Sequence, residues 1–249
     1  MNEDMPVISN NSVNTDEINQ TNMNFLKRVF GIIFSPSKVM QSLDQKPRVL
    51  FGLLLTAITP VIMILLTLPM YMEYSRKLLE VTYANMNIEM NAEQMEQAVN
   101  ISQYSALFGG PVAAVVMLLL EALVVWGIVK VLKGKGSFKQ YLSVLGYTNV
   151  IAVLSTITLI LVVRFTGTYT DVSYTSLASL LPNMKGSFLF GFAKIIEVFT
   201  IWQYVVIGIG ISTVSKLSNK KVFILVACIF VVIAIYMGVT EVNAAKLLQ

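Results

Sequence analysis

Four stretches of this chain, residues 49–72, 111–132, 141–163 and 222–240, are nearly unbroken runs of apolar side chains. A helix rises about 1.5 Å per residue and the hydrocarbon layer is about 30 Å thick, so about 20 such residues cross it. Each run is therefore long enough to span a membrane. None shows the apolar/polar alternation of a lipid-facing strand, which excludes a transmembrane β-barrel. In lipid the backbone has to satisfy its own hydrogen bonds, so these runs are read as helices. Composition agrees: 55% AVILMFWYC against 13% charged is too apolar for a soluble domain of 249 residues.

A fifth span, residues 188–213, carries Lys194 and Glu197 near one end, then Trp202, Gly208 and Gly210, and leads into a short basic turn. Its length and flanks assign it as a span despite the two charges. The expected architecture is all-α, a polytopic bundle of five transmembrane helices.

Orientation follows from the basic residues, because Lys and Arg in short loops stay on the cytoplasmic side. The arm before residue 49, the turn at 133–140 with its edge, and the turn at 214–221 together hold twelve, against five in the opposite loops and terminus. The chain is expected to run N-in, C-out. The cytoplasmic basic face comprises Lys27, Arg28, Lys133, Lys135, Lys139, Lys216, Lys220 and Lys221. The net charge of +4 is explained by that face meeting anionic lipid headgroups, with no need for nucleic acid.

Three regions are expected. Residues 1–24 are polar and Asn-rich, the composition of a disordered cytoplasmic tail. Residues 25–48 form an amphipathic arm at the interface, with Phe25, Leu26, Val29, Phe30 and Ile33 on one face and Lys27 and Arg28 on another. Ser35 and Pro36 restart this arm as a second short helix with Val39, Met40 and Leu43 on its apolar face. The five-span domain occupies 49–249. In the outer loop 73–104, Asn91 and Gln94 have the spacing of a capping box, and the helix they start reads as an outward extension of the second span.

With no His and one Cys, Cys228, neither an internal disulfide framework nor a His/Cys metal cluster is available. No cofactor is expected. The candidate chemistry is the set of intramembrane charges. Glu121 lies at the centre of the second span and has to face inward; Lys194 and Glu197, three apart, share one helix face. Three arrangements are open: Lys194 with Glu197, Lys194 with Glu121 across the bundle, or a protonated Glu121 beside a cavity. Thr148, Ala152, Ser155 and Thr156 form a small-residue stripe that admits a neighbouring helix.

The entry FLKRVFGIIFSPSKVMQSLDQKPRVLFGLLL, the turn and span GKGSFKQYLSVLGYTNVIAVL, and the segment EVFTIWQYVVIGIGISTVSKLSNKK resemble, in that order, the Yip family of five-span Ypt/Rab-interacting proteins and their bacterial relatives. The resemblance implies an integral membrane adaptor without enzymatic activity. In the bacterial branch it implies an accessory that binds or steadies a membrane partner such as an ABC-type exporter complex, in the plasma membrane. In a eukaryotic source it implies an adaptor for Rab-type GTPases. The alternative from the residues alone is a small permease or channel with a polar path along Glu121, Lys194 and Glu197. Self-association is left open, and KGKGS at 133–137 lacks the leading Gly of a phosphate loop.

Overall fold

The computed structural model describes residues 23–247, so the tail expected at 1–24 lies outside it except for its last two residues. Among the described residues there are nine α-helices: α1 Phe25–Phe34, α2 Pro36–Gln45, α3 Val49–Asn85, α4 Ala92–Tyr104, α5 Gly110–Val131, α6 Phe138–Thr166, α7 Phe188–Lys194, α8 Val198–Ser215 and α9 Asn219–Leu247. Five helical segments have the length and apolarity to cross a membrane: α3, α4 continued through α5, α6, α8 and α9. The chain is a multi-pass membrane protein.

At the centre of the bundle, α6 packs against α3, α5 and α8, while α9 packs on α7 and α8. An unbroken run of α6, Tyr141 to Thr148, is buried, which a helix permits only when neighbours surround it. Backbones approach closely where α3 crosses α6. A Cβ added at Gly52 would lie 2.5 Å from the Cα of Gly146, so both positions require glycine's missing side chain. The core continues through Val206, Ile207 and Ile211 of α8 and Val39, Met40 and Leu43 of α2.

Three features differ from the sequence expectation. First, α3 has 37 residues and runs to Asn85, well past the span expected to end at 72. At about 1.5 Å per residue it overshoots the bilayer, and α4 folds back along its C-terminal end through Arg76–Glu96 (2.5 Å) and Tyr71–Ser102 (3.2 Å between hydroxyls). The capping box that begins α4 is present, with Asn91 Oδ1 accepting from Gln94 N at 2.9 Å, and a short π turn at Ser105–Gly109 carries the chain into α5.

Second, the fourth span is broken. α7 ends at Lys194, α8 begins at Val198, and Ile195–Glu197 lie between them. Glu197 caps α8 by accepting from Thr200 N at 2.8 Å. Leu177 N donates to Ile196 O at 2.9 Å, so the outer loop pairs with the backbone exposed at the break.

Third, Arg28, expected on the exposed basic face, turns into the bundle, while Phe25, Leu26 and Phe30 of α1 face outward as an interfacial helix has them. Val39, Met40 and Leu43 of α2 are fully buried as expected, but in α1 the inward residues are Arg28 and Ile32, and Phe34 is 79% exposed. In a chain surrounded by lipid the outward face is the apolar one, which inverts the rule for a water-soluble helix.

Candidate functional site

Glu121 lies midway along α5, where an ionised side chain costs about 2.5–3.5 kcal/mol unless compensated. It lines an open groove of about 590 Å³ whose other walls include Leu120 and Val124 of α5, Tyr204 of α8, and Cys228 and Val232 of α9. The groove exists because α9 packs on α7 and α8 rather than closing against α5. Among the described residues, no hydrogen bond or ion pair reaches the Glu121 carboxyl. Its walls are otherwise apolar, with the Tyr204 ring held edge-on against Phe230 at 5.1 Å.

Lys194 and Glu197 sit elsewhere, and neither pairs with the other or with Glu121. The helix break separates them, so the i,i+3 reading on one helix face does not hold. Lys194 Nζ donates to Asp171 Oδ2 and to Glu241 Oε2, each at 2.8 Å, and Glu241 Oε1 accepts from Gly186 N at 3.1 Å. Burial pushes the Asp171 carboxyl up, but the Lys194 ammonium outweighs it, and the group is held below the usual aspartate value.

Glu197 is 3% exposed and is satisfied by hydroxyls. Oε1 accepts from Ser155 (2.9 Å), Thr175 (2.7 Å) and Ser173 (3.3 Å), and Oε2 from Thr200. Ser155 comes from the small-residue stripe of α6, so that stripe supplies a hydrogen bond as well as room. The arrangement ties α6, α8 and the outer loop at one point. From Glu197 to Tyr204, at the level of the groove, is seven residues of α8, or about 10 Å along its axis. The three intramembrane charges therefore form no single cluster.

The basic residues divide differently from expectation. Lys27, Lys133, Lys135, Lys139, Lys216, Lys220 and Lys221 are exposed, but Arg28 is 1% exposed and points into the bundle. Its Nε donates to Ser42 Oγ at 3.2 Å. The two basic turns are joined, since Lys135 N donates to Ser215 O at 2.8 Å, and Lys216 pairs with Asp44 at 2.6 Å, fixing α2 beneath them. Sequence reasoning missed Asp171 and Glu241, and reads Tyr204 only as a bundle-facing aromatic. The two acids lie in a loop and beyond the expected end of the last span.

A Yip1 domain family model matches residues 30–240, which takes in α2 and all five spans. The chain belongs to the Yip1 domain family. Membrane protein YknW of Bacillus subtilis (strain 168) is 26% identical to this Yip1-domain chain over 208 residues, covering 84% of the chain and 87% of that relative. This is a bacterial Yip-family membrane protein. No solved structure matches the Yip1-domain chain.

Proposed function

We propose that this chain is a non-enzymatic adaptor of a bacterial plasma membrane, inserted N-in, C-out, that binds and steadies another membrane protein. The observation that carries the reading is Glu121, a carboxyl without a hydrogen-bond or ion-pair partner among the described residues, in an apolar groove between α5 and α9. A transmembrane helix laid in that groove buries apolar area on three sides and brings one polar or basic side chain to the carboxyl. The exposed lysines of the inner turns lie on the side where a cytoplasmic partner domain or anionic headgroups would meet them. An exporter-type complex is the partner class that the family resemblance favours.

Affinity purification from native membranes in mild detergent tests the reading. A discrete membrane partner is expected with the unaltered chain, and Glu121→Leu is expected to lower its recovery at least about tenfold. That is the size implied by losing one charged contact of about 1.5–3 kcal/mol. Recovery of the chain alone, or of the same partner equally well with Glu121→Leu, would overturn it.

A further inference from the structure

Arg28 poses a problem that the adaptor reading does not resolve. A guanidinium has five N–H donors and stays charged at every relevant pH. Among the described residues Arg28 uses Nε on Ser42, while its buried Nη2 has no hydrogen-bond partner. Among the described residues no carboxylate forms an ion pair with it, and none does so with Arg48. Burial first, and then the neighbouring Arg48 guanidinium, hold Arg28 below the ordinary arginine value.

Three elements bring the two cations together. Arg48 N donates to Ser143 Oγ of α6 at 2.5 Å, one turn before Tyr147. The Phe51 ring, three residues after Arg48, lies 4.8 Å from Tyr147 and 4.9 Å from Phe25, which is three residues before Arg28. The result is a buried arginine beside an exposed one, with no acid paired to either among the described residues. A buried cation without a counter-charge is costly, and two like charges add to the cost.

We infer that Arg28 and Arg48 together hold the phosphate group of an anionic membrane lipid. A phosphate accepts the planar fork of a guanidinium and neutralises both arginines at once. The lipid rather than a free anion is the source, because α1 turns Phe25, Leu26, Phe30 and Phe34 outward, as a helix does at the boundary of headgroups and acyl chains. Arg48, being exposed, is where the headgroup docks, and the enclosed Arg28 guanidinium beside it adds its charge from within the bundle. The site is separate from the Glu121 groove, and its failure would leave the adaptor reading untouched.

The test is thermal unfolding of the full chain in nanodiscs of phosphatidylcholine, with and without phosphatidylglycerol. Phosphatidylglycerol is expected to raise the midpoint by about 2–4 °C for a chain of this length. Arg28→Met is expected to abolish the rise and to unfold no lower than the unaltered chain in phosphatidylcholine alone, because it removes an uncompensated charge. Arg48→Gln, at an exposed position that leaves the fold intact, is expected to reduce the rise, whereas Lys220→Gln keeps it whole. Inorganic phosphate in phosphatidylcholine discs is expected to leave the midpoint unchanged. The inference is overturned if the midpoint is the same in both lipids, if the rise survives Arg28→Met, if Lys220→Gln removes as much of it as Arg48→Gln, or if inorganic phosphate reproduces it.

Discussion

Lys194 Nζ lies 2.8 Å from Glu241 Oε2, joining the short helix before the break in the fourth span to the outer end of the fifth. Both side chains are largely buried, at 14% and 13% exposed, and Asp171 completes the cluster from the outer loop. Lys194→Met strands two carboxylates in a partly desolvated place and is expected to destabilise the folded protein by roughly 1–3 kcal/mol. The exposed pair Lys77–Glu73 is the control, and Lys77→Met should leave the unfolding midpoint unmoved. Equal midpoints for both variants would show that the outer cluster contributes nothing.

The same cluster sets a dependence on pH. Burial raises the Asp171 carboxyl and Lys194 more than offsets it, so the folded value lies below the unfolded one. Its stabilisation is therefore complete above the ordinary aspartate range and is lost as pH falls through the depressed value. Unfolding midpoints measured across acid pH should drop less steeply in Asp171→Asn than in the unaltered chain. An unchanged slope would remove Asp171 from the cluster.

Gly52 and Gly146 meet backbone to backbone where α3 crosses α6. Gly146→Ala forces two central spans apart and is expected to destabilise the bundle by about 1–3 kcal/mol. Gly127, with nothing within 4 Å of an added Cβ, is the contrast. Gly127→Ala should be neutral or stabilising by up to about 1 kcal/mol, since alanine is the better helix former. Detergent-solubilised melting curves for the two variants read both signs.

Orientation is open to labelling in intact cells, with Cys228 first replaced by Ser. An impermeant thiol reagent should modify Thr168→Cys and Asn91→Cys and spare Lys135→Cys and Ser218→Cys. The reverse pattern would turn the bundle over.

The spans were legible because a lipid-crossing helix needs only length and apolarity, both of which a sequence displays directly. The Asn91–Gln94 capping box was legible for a similar reason, its two partners being three residues apart. Contacts between distant segments were not. Nothing near Lys194 in sequence announces Asp171 or Glu241, and Gly52 and Gly146 look like any glycines in an apolar run. The break at Ile195–Glu197 was hidden because its backbone is satisfied from the outer loop, at Leu177. Arg28 was misplaced because helical spacing reports which residues share a face, and only the surroundings decide whether that face points inward or towards lipid.

The most direct measurement is photo-crosslinking in native membranes, with a diazirine side chain in place of Val232 on the wall of the Glu121 groove. Leu66, exposed on α3, is the comparison position. A partner helix seated in the groove predicts one discrete protein adduct from position 232 and only lipid adducts from position 66. Lipid adducts alone from both positions would contradict it.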